Sequence, residues 1–313
     1  MTVRDASVAV VGSGFIGTSW ALVFARAGKK VKVYDADAKA LANAAPVVKA
    51  QINLLLEAFT PGATEALIDQ ISFTSDLEEA LDGAIYVQEC APEVIDTKVA
   101  LFKAFESLVD SDCILASSTS GITASKFTEF MQHRDRALVV HPTNPPHLIP
   151  LVEIAPSPWT SSETIETVIQ LMVEIGQSPI VVRREIPGFI LNRLQGALLN
   201  EALRLAEGGY ASTDDIDKAV RDGLGLRWSF MGPFETIDLN APEGLADYAA
   251  RYGEMYREMS RTQCNPVAWA KVLIQKLHDD RRELLARDEL EKRQIWRDKR
   301  LASLACHIAS QEK

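Results

Sequence analysis

His141 closes the apolar run Ala137-Leu138-Val139-Val140, and Glu153 stands inside the next one, Leu151-Val152-Glu153-Ile154. A carboxylate in a short buried strand must find a partner, because an unpaired charge in apolar surroundings is costly. An imidazole at the neighbouring strand end is the natural candidate. Such a pair fixes the histidine tautomer and raises its basicity, which is what taking a proton from an alcohol near neutral pH requires. Taken alone, the spacing fits a satisfied structural histidine as well as a general base.

A second constellation lies at the start of the chain. Gly12-Ser13-Gly14-Phe15-Ile16-Gly17 follows the apolar run Ser7 to Val11 directly and precedes a helical pattern. In that context Gly12 permits a tight turn, Gly14 lets the backbone approach a pyrophosphate, and Gly17 lets helix and strand pack closely. Phe15 and Ile16, between the second and third glycines, count with them as cofactor-binding residues, and the N-terminus of the helix that follows faces the anion. Asp35 ends the second apolar run, about 20 residues on, where a carboxylate accepts both adenosine-ribose hydroxyls and repels a 2′-phosphate. No Arg adjoins it and only Lys32 and Lys39 are near, so the cofactor expected is NAD and not NADP. A glycine triplet alone is weak; the strand before it, the helix after it and Asp35 make it informative.

These residues need elements to hold them. From Ser7 to Val182 short β-rich runs alternate with helical patterns, the signature of a doubly wound, mostly parallel sheet. Strands are predicted at Ser7 to Val11, Val31 to Tyr34, Ala84 to Gln88, Cys113 to Ala116, Ala137 to Val140, Leu151 to Ile154 and Pro179 to Val182. Helices are predicted at Thr18 to Ala27, ended by Gly28, and at Thr160 to Ile175, ended by Gly176. After Pro187-Gly188 helical periodicity dominates, and Ser212 followed by Asp215 offers an N-cap. The expected organisation is a Rossmann-type α/β domain over 1–186, with a helical excursion after its second strand, and an all-α substrate and dimerisation domain over 187–313. The tail from Asp279 to Lys299 reads as a solvated helix face with Leu284, Leu285, Leu290, Ile295 and Trp296 as a buried stripe.

The formal charge of -10 and a pI near 5.1 disfavour nucleic acid and anionic membrane as partners, since both need a concentrated positive field. No apolar run reaches the roughly 18 residues of a membrane span, so a cytoplasmic protein is expected. Cys90, Cys113, Cys264 and Cys306 show no metal-ligand or redox spacing and read as core or surface thiols, which leaves no zinc site. No tyrosine starts a Tyr-x-x-x-Lys motif, so the short-chain dehydrogenase base pair is absent.

Read together, Gly12-x-Gly14-x-x-Gly17, Ala91-Pro92-Glu93 with Lys98, Ser117-Ser118-Thr119-Ser120, His141-Pro142-x-Asn144-Pro145, Leu151-Val152-Glu153, Pro187-Gly188-Phe189-Ile190-x-Asn192-Arg193 and Met231-Gly232-Pro233-Phe234-Glu235 resemble the 3-hydroxyacyl-CoA dehydrogenase superfamily. The resemblance covers the chain to about Tyr252. It implies His141 as base, Glu153 as its orienting partner, and Ser120 and Asn192 as hydrogen-bond donors at the reacting oxygen. Glu93, Lys98 and Asn144 match positions near the nicotinamide half of NAD. It also implies a homodimer through the helical domain. Ser118 stands where the acyl-CoA enzymes usually carry Asn, a mark of subfamily. His141 to Pro146 and Pro233 to Thr236, near Leu239-Asn240, look most like the lambda-crystallin branch, which oxidises L-gulonate at carbon 3.

A CoA thioester brings a 3′-phosphate and a pyrophosphate, which call for Lys or Arg, yet no positive side chain occurs between Lys49 and Lys98. A free hydroxy acid needs one cation for its carboxylate, and Arg227 in Leu226-Arg227-Trp228-Ser229-Phe230 offers a bidentate fork; a surface ion pair with Asp222 or Glu235 fits Arg227 equally well. The same string resembles carnitine 3-dehydrogenases, with Trp228 and Phe230 as cation–π partners for a quaternary ammonium or as core aromatics. L-Gulonate ranks first, L-carnitine second and a CoA thioester third. Because the resembled branch includes a lens protein, a purely structural role is the alternative of a different class; Glu153 inside an apolar strand argues against it.

Overall fold

The computed structural model describes residues 7–58, 67–265 and 268–311. Residues 59–66, in the middle of the stretch that lacks positive charge, lie outside them. The chain divides into two compact units, 1–193 with 295–313, and 194–294.

The first unit is built on one eight-stranded sheet. Its strands are β1 Ser7–Val11, β2 Lys30–Tyr34, β3 Ile71–Thr74, β4 Ala84–Glu89, β5 Ile114–Ser117, β6 Ala137–Pro142, β7 Leu151–Pro156 and β8 Ser178–Val181, in the order β3-β2-β1-β4-β5-β6-β7-β8. All neighbours pair in parallel except β6 and β7, which are antiparallel. Parallel strands are covered on both faces and so read as unbroken apolar runs. In β1, Val8 and Val10 enter one core and Ala9 and Val11 the other. The first core also takes Trp20 and Phe24 of α1, Phe15–Arg26, and Val48 and Ile52 of α2, Ala38–Ala58. The second takes Phe102 and Phe105 of a helix over Ile95–Leu108.

Each predicted strand is present to within two residues. The sequence reading overlooks β3, a four-residue strand with a single buried side chain, Ile71. A half-exposed edge strand that short carries no usable period. The strand order reverses between β1 and β4, and the carboxyl ends of those two strands form the crevice in which doubly wound folds bind ligands.

Every described element of the second unit is a helix, and Ser212 caps its helix as expected, accepting from Asp215 N–H at 3.1 Å. The final helix, Leu290–Gln311, departs from the expected organisation. From Ile295 it belongs to the first unit, because Leu301 and Ala302 pack into the α1 side of the sheet core. The buried stripe expected over Asp279 to Lys299 is also displaced: Leu284, Leu290, Ile295 and Trp296 are exposed and Leu285 is half-buried, and the final helix makes its core contacts further on, at Leu301 and Ala302. No helix among the described residues is long and apolar enough to cross a membrane.

Candidate active site

At the carboxyl end of β1 the chain turns through Gly12, at φ +109°, straight into α1. A Cβ on Gly12 would lie 2.6 Å from the Cys90 carbonyl oxygen, and one on Gly17 would overlap the Gly12 carbonyl, so strand, turn and helix close up only with glycine. A Cβ on Gly14 would meet nothing within 4 Å, which leaves the backbone open on the side where a pyrophosphate approaches. Phe15 and Ile16 start the helix, whose first turn carries no acidic side chain, so its positive end is uncompensated.

Asp35 follows β2. Its Oδ2 accepts from Ser13 N–H at 2.7 Å and Ser13 Oγ–H at 2.8 Å, and its Oδ1 from Asp37 N–H at 2.9 Å. A carboxylate has about four acceptor positions, so Oδ1 keeps one for a ribose hydroxyl. Lys32, one of the two nearby cations, donates to the Glu79 and Asp82 carbonyls at 2.9 and 2.8 Å and so is committed elsewhere. This donor and acceptor set fits NAD. Asp35→Asn is expected to raise the NAD Kd on the order of tenfold, the difference between a charged and a neutral hydrogen bond, and to relax discrimination against NADP. Titration with both cofactors checks it; an unchanged NAD affinity would exclude Asp35 from the ribose.

The antiparallel register of β6 and β7 sets His141 directly opposite Glu153, and opposed residues in a sheet point to the same face. His141 Nδ1 lies 2.7 Å from Glu153 Oε2. The carboxylate is fully buried and the imidazole is 7% exposed. Glu153 Oε1 accepts from the amides of Ile190 and Leu191 at 2.8 and 2.9 Å, the entry to a helix over Leu191–Glu207. Burial acts to raise the Glu153 pKa. The bonds from His141, Leu191 N–H and Ile190 N–H outweigh it, and the carboxyl is held below its ordinary value.

That helix entry is made by Gly188 and Phe189, which both take positive φ, +78° and +48°. For a phenylalanine this conformation costs about 1–2 kcal/mol. It is held because the Phe189 ring is wholly buried and lies 5.6 Å from the His141 ring, centroid to centroid.

The remaining predicted residues gather at the ends of β4 and β5. Glu93 Oε1 accepts from Thr119 Oγ–H at 2.5 Å, Ser120 N–H at 3.0 Å and Gly121 N–H at 3.1 Å. The Ser120 hydroxyl is 3.5 Å from the same oxygen, and the Ser120 carbonyl accepts from Asn192 Nδ2 at 2.7 Å. Ser120 and Asn192 are thus directly bonded to each other. Asn144 is exposed and precedes a cis Pro145. Lys98 is 1% exposed and held by Glu89 at 2.9 and 3.0 Å, a buried carboxylate that the sequence reading does not single out. Ser118 Oγ accepts from Trp20 Nε1 at 3.1 Å and Gln88 Nε2 at 2.7 Å. In the second unit Arg227 is exposed. Asp222, one of its two candidate partners, pairs with Arg221 at 2.6 Å, and Arg227 makes no ion pair among the described residues.

Comparison with known proteins identifies the family. Residues 7–186 match the family model for the NAD binding domain of 3-hydroxyacyl-CoA dehydrogenase, and residues 188–281 match that for its C-terminal domain. The lambda-crystallin homolog of Bos taurus is 41% identical over 309 residues, 95% of this chain and 94% of that protein. The L-carnitine dehydrogenase of Pseudomonas putida is 39% identical over 253 residues, 78% and 76% of the two chains. Among solved structures, an NAD-dependent dismutase named FHMPC 5-dehydrogenase superposes with a TM-score of 0.83 at 27% identity, covering 96% of this chain and 97% of its own. The chain belongs to the 3-hydroxyacyl-CoA dehydrogenase family and is an NAD-dependent oxidoreductase acting on a CH–OH group.

Proposed function

We propose that the protein oxidises the 3-hydroxyl of a small hydroxy acid, L-gulonate to 3-dehydro-L-gulonate, with His141 as general base. The buried contact between His141 and Glu153 carries the reading. A carboxylate only accepts, so the proton on the imidazole sits on Nδ1 and the Nε2 lone pair is left to take the hydroxyl proton. NAD, when bound, supplies the hydride acceptor. Ser120 and Asn192, bonded to each other, are the proposed donors to the reacting oxygen, where charge develops as the proton leaves. Gly12, Gly14, Phe15, Ile16, Gly17 and Asp35 hold the dinucleotide, with Glu93, Lys98 and Asn144 toward its nicotinamide half, Lys98 through Glu93 and not by its own buried ammonium.

For the substrate, the lack of positive side chains between Lys49 and Lys98 weighs against a CoA thioester, and Arg227, without an ion pair among the described residues, supports a free carboxylate. L-Carnitine is the second reading. It is favoured by the named relative from Pseudomonas putida and by Trp228 and Phe230, which are 41% and 71% exposed and have faces free for a quaternary ammonium.

The test offers L-gulonate, L-carnitine, L-3-hydroxybutyrate and 3-hydroxybutyryl-CoA with NAD and follows NADH. L-Gulonate is expected to give the highest kcat/KM, and Arg227→Ala to lower it on the order of 10- to 100-fold, the value of one charged hydrogen bond, with NAD affinity kept. A higher kcat/KM for the thioester, or an unchanged Arg227→Ala enzyme, removes the assignment. We also propose a homodimer through the helical unit, on the strength of Leu226, Phe230, Phe234 and Leu239, each more than 60% exposed; apolar surface on that scale marks an interface. A solution mass of one 34.4-kDa chain would refute it.

A further inference from the structure

Glu89 ends β4 with no exposed surface, and each donor around it is accounted for. Its carboxylate takes the Lys98 ammonium on both oxygens, at 3.0 and 2.9 Å, the Ala91 amide on Oε1 at 2.7 Å, and the Ser117 hydroxyl on Oε2. Ser117 Oγ in turn accepts from the Thr119 amide at 3.2 Å. From the same ammonium it is 3.7 Å to Glu93 Oε2, and the other oxygen of Glu93 gathers Thr119, Ser120 and Gly121. The last link is Asn192 on the Ser120 carbonyl. Two carboxylates therefore share one buried lysine, the inner one sealed in protein and the outer one, Glu93 in the segment after β4, 43% exposed and bonded to the loop that bears Ser120.

We infer that Glu89 is a positioning residue for the reaction: it anchors Lys98, and through Lys98 and Glu93 it sets the backbone that aims the Ser120 and Asn192 donors. The inference rests on the proposed roles of Ser120 and Asn192 and goes beyond them, since Glu89 is too deep to meet substrate or cofactor. A lysine on a four-carbon stem pins nothing while its ammonium is free to move. Chelated by Glu89 it becomes a fixed positive charge, and Glu93 then has one favourable placement. The Ser117 hydroxyl gives Glu89 a second, shorter hold on the same loop through the Thr119 amide.

Removing only Glu89 would strand a buried ammonium, so the variant to read is the double Glu89→Gln/Lys98→Met, which removes both charges. The expected result has three parts. First, kcat falls on the order of 10- to 100-fold, as for a displacement of catalytic groups by about an ångström, while the NADH Kd changes less. Second, the deuterium isotope effect with substrate labelled at the oxidised carbon rises, because hydride transfer becomes limiting. Third, the Ser120 and Gly121 amides exchange hydrogen faster than in the wild type. A purely structural role would lower the folded fraction and leave the isotope effect alone. Ser117→Ala, a smaller lesion on the same carboxylate, is expected to move all three readouts in the same direction by a few-fold, and it is decisive if the double variant does not fold. Wild-type kcat, isotope effect and amide exchange in either folded variant overturn the inference. If the wild type turns over none of the four candidate substrates, the substrate proposal fails by itself, and amide exchange still decides the role of Glu89.

Discussion

Glu153→Gln is expected to lower kcat by about 10⁴, the loss that follows when the partner of a catalytic imidazole is made neutral and the ring is left in the wrong tautomer. The direction follows from the donors around the side chain. The amides of Ile190 and Leu191 both point at Oε1, so in the variant they select the carbonyl oxygen of glutamine and turn its NH₂ toward His141. Nδ1 must then accept, the ring proton moves to Nε2, and the atom proposed to take the substrate proton is already protonated. NAD affinity is expected to persist, because the dinucleotide loop lies on β1 and β2. Steady-state kinetics with cofactor titration checks both halves, and a variant within tenfold of wild-type kcat would show that the carboxylate does not set the tautomer.

The same substitution has a stability signature whose sign is fixed. The folded-state pKa of Glu153 is lowered, so its contribution is fully present above the unfolded value, about 4.3. That contribution is lost as the pH falls from there through the folded value. Melting temperatures of wild type and Glu153→Gln should therefore converge below about pH 4 and diverge above it.

His141→Asn is the second large effect. A positioned general base contributes about 10² to 10⁴ in rate, and asparagine keeps a polar atom near Glu153 without supplying a base. The loss is expected in kcat and kcat/KM alike, with NAD binding and the fold unchanged, because the imidazole acts as the reaction proceeds and not in holding the ground state. Activity that survives with its pH profile intact would move the base elsewhere.

The sheet was readable because its strands are parallel and covered on both sides, which writes them as apolar runs. The contact of His141 with Glu153 was readable for the opposite reason, since Glu153 interrupts such a run. Glu89 interrupts one too, at the end of Ala84–Glu89. Ending that strand at Gln88 hid the anomaly, although a carboxylate beside Val87 and Gln88 raises the same question of a partner. Phe189 left no signal, because a left-handed turn is foretold by Gly or Asn and this one is held by a buried ring. The return of the final helix to the first unit was equally silent: periodicity reports that a helix has an apolar face, not which body it meets. Arg227 was legible as a cation in an aromatic string, and its lack of an ion pair needed the structure.

The antiparallel pairing of β6 with β7 has a consequence for how such an enzyme changes its diet over generations. The spacing between His141 and Glu153 is written into a backbone ladder, so it is inherited with the sheet. Segments outside that ladder can change in length or charge and leave the two side chains facing each other.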